Sequence, residues 1–360
     1  MRVNGLLVNK NGESNGRPKA AFWIPRFLFY GVLFLVGLAG CETNTNVEIH
    51  KFDGRTMGTT YHVSVVGLPM GFESPQLATL IDDSLQSINQ LMSTYIADSE
   101  VSRFGRMAPD RWFDVSADTY NVLKASQELS RISAGAFDVT VGPVVALWGF
   151  GPQYTLDKVP SQKEIDRAKE STGFEYLWVN SEALSIKKTR SLEIDLSAIA
   201  KGYAVDDLVA ELKRLGVLSA LVEVGGEIRG YGKKPNGDEW KIAIERPVEG
   251  VRSIHKTISL VDRAVATSGD YRNYFEADGV RYSHTIDPNS GYPIRHRLAS
   301  VSVIHESAMY ADGWATSLMV LGAEKGFRLA EKNDIAAYFI VREDGSFTER
   351  QTELFKSYVN

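Results

Sequence analysis

Asp312 and Thr316 stand four residues apart in ADGWATSLMVLG, residues 311–322. On a helix that spacing puts a carboxylate and a hydroxyl on one face. With a nearby carbonyl they suit a hard, oxygen-seeking ion such as Mg²⁺, although an Asp early in a helix is also well placed for the helix dipole alone. Asp195, in IDLSAIAKGYA, falls at a strand-to-helix junction ahead of Ser197, and Lys201 follows one turn later. An acid and a base there could hold the hydroxyls or phosphates of a nucleotide, or simply cap the helix. His284, in YSHTIDPNSGYP, precedes an Asp287-Pro288 turn, and Ser268-Gly269-Asp270 closes the strand before it. An imidazole beside a carboxylate is what removal of a proton from a hydroxyl nucleophile requires. The same His would be unremarkable in a surface loop.

Other chemistries are disfavoured. The six histidines never form HxH or HExxH spacings and the chain has one cysteine, so a zinc site is not expected. Neither GxGxxG nor GxxxxGK[ST] is present. Lys and Arg number 40 against 45 Asp and Glu, a formal charge of −5 with no basic block, which argues against nucleic acid as a partner.

The elements that must position these residues follow from periodicity. Residues 55–66 alternate as a half-buried strand. A helix is expected from Ser74, with Pro75 at its first position and Leu77, Leu80, Ile81, Leu85, Ile88 and Leu91 on one face. A second spans Ser116 to Ser133, and Ser161 with Glu164 forms a capping box for a third. A fourth runs from about Ser197 to Leu215, ended by Gly216. Short strands are then expected at 219–224, 239–245, 256–261, 263–267, 281–286 and 298–304. Helices near 307–321 and 324–332 come next, and a strand or two after Ile335. Strands that cluster instead of alternating with helices point to α+β, with mixed or antiparallel sheets packed with helices.

At the N-terminus, residues 1–40 hold five basic residues and one acid, and the apolar run Phe27–Leu38 follows Arg26. The run is shorter than the roughly 20 residues of a comfortable spanning helix and reads as a secretory leader. Leu38-Ala39-Gly40-Cys41 resembles a bacterial lipoprotein processing box. Cys41, the sole cysteine, cannot be half of an internal disulfide. The expected organisation is a leader at 1–40, a tether at 41–53, one domain at 54–350 and a tail at 351–360.

Eight segments in order resemble the FAD:protein FMN transferase (ApbE) family: MGTTY (57–61), MSTYIADSEVSRFG (92–105), GAFDVTVGPVVALWGFG (135–151), IDLSAIAKGYAVD (194–206), VEVGGEIRG (222–230), ATSGDY (266–271), YSHTIDPNSGYP (282–293) and ADGWATSLMVLG (311–322). The resemblance implies two related T-fold-like halves with FAD between them. It implies FAD contacts at Met57, Tyr95, Ala136, Phe137, Asp138, Asp195, Lys201 and Ile286, and Mg²⁺ surrounded by Ala198, Asp312, Ala315 and Thr316. It further implies transfer of FMN from FAD to a Thr or Ser hydroxyl with release of AMP, His284 being the candidate base supported by Asp270. Acceptors would be subunits of membrane respiratory or electron-transfer complexes. The enzyme would be lipid-anchored and face the periplasm, on the inner membrane in preference to the outer. An FAD pyrophosphatase, or a flavin-binding lipoprotein without chemistry, would draw on the same segments.

Overall fold

The main sheet is built from two copies of one pattern, hairpin, helix, hairpin. In the first copy the strands Ile49–Thr56 and Thr59–Val66 form a hairpin, and Ala220–Val224 and Glu227–Tyr231 form another. In the second copy Arg263–Gly269 pairs with Leu298–His305, and Ala336–Glu343 with Ser346–Gln351. All eight strands lie in that spatial order in one antiparallel sheet. The seam between the copies is the pairing of Glu227–Tyr231 with Arg263–Gly269. This is a computed structural model that describes residues 47–152, 158–248, 254–271 and 273–359. Cys41 and the leader lie outside the described residues.

Eight helices accompany the sheets among the described residues: α1 (Ser74–Met92), α2 (Glu100–Arg106), α3 (Ala117–Ile132), α4 (Gly142–Leu147), α5 (Gln162–Lys169), α6 (Ala200–Arg214), α7 (Ala308–Lys332) and α8 (Glu353–Lys356). Successive side chains of a strand point to opposite faces, and the sheet uses both. Ala264, Ala266, Val301, Val303, Ala337 and Phe339 pack toward the helices α1, α3, α6 and α7 in the main core. Val265, Ile304, Ala336, Tyr338 and Ile340 pack on the other side against the hairpin of Trp240–Glu245 and Ile254–Leu260. A third cluster gathers Val144, Trp148, Ile165, Phe275, Tyr282 and Ile286.

Several expectations need adjustment. Residues 49–53 belong to the first strand and not to a tether. Residues 351–359, expected as part of a tail at 351–360, continue the fold: the buried Thr352 hydroxyl donates to the Ile335 carbonyl and accepts from Ala337 N, and Phe355 of α8 is fully buried in the second core. The expected strand 281–286 is interrupted. Val280–Ser283 pairs with Tyr274–Ala277, and only after a bend at His284 and Thr285 does Ile286–Asp287 pair with Tyr292–Pro293. The two helices expected at 307–332 meet at Gly322, whose φ of 75° and ψ of 178° break the helix. A Cβ there would lie 2.7 Å from the His296 ring, so both the backbone and the space call for glycine.

Candidate active site

The geometry starts with two helices brought unusually close. At Gly202, in the first turn of α6, a Cβ would stand 2.3 Å from the Ala308 carbonyl oxygen. One turn further along α6, Asp206 accepts hydrogen bonds from Ser307 Oγ at 2.6 Å, Ala308 N at 2.9 Å and Met309 N at 3.0 Å, and pairs with Arg229. A carboxylate at these orphan N–H groups satisfies them and suits the helix dipole. The start of α7 is therefore aimed by α6.

Asp312 follows on α7 and is 3 % exposed. Its Oδ2 accepts the Gly202 N–H at 3.2 Å. In a regular helix that N–H would bond Ala198, so the Ala198 carbonyl is left without a donor among the described residues, beside the cavity. Thr316, one turn after Asp312, reaches Ser268 Oγ at 3.4 Å. A carboxylate, a hydroxyl and a free carbonyl thus line one cavity, as the spacing of the sequence suggests. Among the described residues no three His, Cys, Asp or Glu side chains converge on one point. A cation here would depend on one carboxylate, neutral protein oxygens and substrate oxygens, a set that fits Mg²⁺. The Ala315 side chain is fully buried in the main core and does not line the cavity.

Lys201 Nζ lies 3.7 Å from Asp312 Oδ2, 3.7 Å from Glu227 Oε2 and 3.1 Å from the Ser197 carbonyl. Burial works against its charge, but Asp312 and Glu227 outweigh it and push the ammonium's pKa up, so Lys201 stays charged. Burial raises the pKa of both carboxyls, against the pull of Lys201.

The cavity has a volume of about 800 Å³ and takes residues from both sheet halves. Its floor includes Ala136, Phe137 and Asp138. Asp138 Oδ1 accepts from Thr140 N at 2.8 Å and Thr140 Oγ1 at 2.7 Å, while Oδ2 accepts from Phe174 N at 3.1 Å. Burial raises its pKa and these bonds oppose that rise. Asp195 N donates to the Val139 carbonyl, and its Oδ1 accepts from Ser197 N at 2.9 Å, tying the two loops together. Ile286 lines the cavity from the third core, and Tyr95, 69 % exposed, stands at its mouth. Met57 is at the tip of the first hairpin with a positive φ of 48°. It lies next to Thr59 and Thr60, which line the cavity, but does not itself line it.

His284 is half-buried and lines the same cavity. Its Nδ1 lies 2.9 Å from the Asn273 carbonyl, which can only accept, so Nδ1 carries the proton and Nε2 is left as the basic nitrogen. Burial lowers its pKa, against the Asn273 hydrogen bond and Asp270. Asp270 does not hold the imidazole as expected. Both its oxygens are taken by the Arg342 fork, each at 2.6 Å, and it does not line the cavity. The carboxylate fastens the strand Ala336–Glu343 to the loop after Gly269, and the Asn273 carbonyl orients His284. Asp270→Asn should therefore cost about 1–3 kcal/mol of stability, seen as a lower Tm, and keep the acidic limb of the pH–rate profile, moved only slightly to lower pH by the loss of the Asp270 charge near His284. Loss of the limb would restore Asp270 to the role first expected of it.

Sequence reasoning assigned no role to Glu227, Asn273, Asp206 or Arg342. Glu227 lies in a quoted segment, VEVGGEIRG, but only the Gly225-Gly226 turn between the strands Ala220–Val224 and Glu227–Tyr231 brings it to Lys201.

A buried, oxygen-lined niche, a charged lysine and an oriented imidazole around one cavity define an enzyme suited to transfer at a phosphate-bearing substrate. The chain belongs to the ApbE family, whose model matches residues 57–339. It is 46% identical over 326 residues to the FAD:protein FMN transferase of Vibrio cholerae, covering 91% of this chain and 97% of the relative. To the enzyme of the same name from Escherichia coli K12 it is 37% identical over 341 residues, covering 92% and 96%. Among solved structures, the flavin transferase ApbE of Vibrio cholerae superposes with a TM-score of 0.81 at 44% identity, covering 87% of this chain and all of that one. The apo flavinyl transferase ApbE of Pseudomonas stutzeri gives 0.80 at 43% identity, covering 87% and 97%.

Proposed function

We propose that this chain transfers FMN from FAD to a Thr or Ser hydroxyl of an acceptor protein and releases AMP, in a Mg²⁺-dependent reaction. The observation that carries the chemistry is that His284, with Nε2 unengaged, and the Lys201–Asp312 pair line the same cavity. The acceptor hydroxyl oxygen attacks the FMN-side phosphorus of FAD. Its proton passes to His284 Nε2, the new P–O bond forms, and the bond to the AMP phosphate breaks. Lys201 faces the pyrophosphate and holds its negative charge in place. Mg²⁺, held by the Asp312 carboxylate, the Thr316 hydroxyl and the Ala198 carbonyl, would neutralise charge gathering on the departing phosphate. Asp195, with its Oδ2 unused by Ser197, and the loop of Ala136, Phe137 and Asp138 position the nucleotide, with Tyr95 at the mouth and Ile286 along the wall. Incubation with FAD and Mg²⁺, with and without acceptor, separates transfer from hydrolysis. Transfer gives AMP in step with acceptor-bound flavin, whereas free FMN in step with AMP would favour the pyrophosphatase reading.

The membrane part of the proposal rests on sequence. Cys41 following its apolar leader supports a lipid-anchored enzyme facing the periplasm. Among the described residues no helix is long and apolar enough to cross a membrane. An anchor would confine enzyme and acceptor, a subunit of a respiratory or electron-transfer complex, to one surface and raise their effective concentration. A Cys41→Ser variant is expected to leave the membrane fraction. Its retention there would count against the anchor.

A further inference from the structure

Lys201 has two carboxylates where one would neutralise it, and the site needs only one of them for a cation. Its Nζ is 3.7 Å from Asp312 and 3.7 Å from Glu227, too long at either for a short charge-assisted bond. Glu227 is 4 % exposed, and its Oε2 has no hydrogen-bond partner although it is buried. A buried carboxylate oxygen that bonds nothing is costly, and such groups call for an explanation. The lysine stem lies across Gly225, where a Cβ would come 2.9 Å from Lys201 Cδ, so the side chain is guided between the two acids.

A divalent cation on Asp312 would share that carboxylate with an ammonium already close to it. The two positive charges repel, and one must give way. We propose that Glu227 is the second berth of Lys201: when a divalent cation occupies Asp312, the ammonium moves onto Glu227 and remains in the cavity facing the pyrophosphate. Glu227 is then a positioning residue that acts through Lys201 and sets how readily the site accepts its cation. This rests on the Mg²⁺ reading above.

The test reads FAD binding by flavin fluorescence during a Mg²⁺ titration, without acceptor and without turnover. In the unaltered enzyme Mg²⁺ should tighten FAD binding. In Glu227→Gln, which keeps the shape but not the charge, Lys201 has no second berth. The Mg²⁺ concentration required should rise by about tenfold or more, while FAD binding without Mg²⁺ does not weaken. Glu227→Asp should recover part of the effect. In Lys201→Met the Glu227→Gln change should add little, because the glutamate acts through the lysine. Equal weakening of FAD binding with and without Mg²⁺ would mean a structural role only and would overturn the proposal. A full effect of Glu227→Gln in the Lys201→Met background would make Glu227 a direct cation ligand and overturn it as well. Binding indifferent to Mg²⁺ in the unaltered enzyme would remove the metal reading itself, a failure visible before any variant is made.

Discussion

His284→Ala is expected to slow transfer of FMN to the acceptor by roughly 10²–10⁴-fold, the usual worth of a positioned acid–base group, with FAD affinity nearly unchanged. The reason is that His284 touches the proton and not the phosphates. The Asn273 carbonyl fixes the tautomer with Nε2 bare, and burial holds the imidazole below its ordinary value near 6.5. A lowered pKa keeps the neutral, basic form dominant through neutral pH. Activity should therefore be flat around pH 7 and fall only as the pH drops through that lowered value. Single-turnover rates across pH check this. An undiminished rate in His284→Ala, or an acidic limb that survives the substitution, would remove His284 as the base.

Asp312→Asn should have an effect of similar size through a different step. The amide oxygen can still accept the Gly202 N–H and fill the same space, so the contact of α6 with α7 and the fold should persist. The charge that would hold a cation is lost, and the neighbouring carboxylate, Glu227, stays opposite the Lys201 ammonium. Mg²⁺-dependent AMP release should fall by about 10²-fold or more, since a Lewis acid at a leaving phosphate is worth several kcal/mol. Lys201 would keep Glu227 as its partner and FAD would still bind. AMP release that retains its Mg²⁺ dependence in a folded Asp312→Asn protein would place the cation elsewhere.

What the sequence disclosed was local. The four-residue spacing of Asp312 and Thr316 is a property of a few adjacent residues and survives on α7, whereas Asp195 lies in a loop, well past the strand Ser185–Lys188, and the helix expected from Ser197 begins at Ala200 with Lys201 in its first turn. Most helices and strands were legible for the same reason, including the break before residue 324 that Gly322 makes. The pairings that complete the site are long-range. Asp270 adjoins the His284 strand in sequence order, which suggested a partnership, but Arg342 arrives from a strand 72 positions away and takes both oxygens. Glu227 carried no signal in its own segment because its partner Lys201, which also faces Asp312, comes from another element. The C-terminal residues, expected as a tail, are held by Phe355 in the second core and by the Thr352 hydrogen bonds to Ile335 and Ala337.

The central claim is that flavin moves from FAD onto a protein hydroxyl. It is tested most directly by incubating the enzyme with FAD, Mg²⁺ and a candidate acceptor, then resolving the products by denaturing electrophoresis and reading flavin fluorescence in the gel. The account predicts fluorescence on the acceptor band, lost when its Thr or Ser is replaced and lost with the His284→Ala enzyme. Consumption of FAD with only free FMN and AMP, and a dark acceptor band, would contradict it.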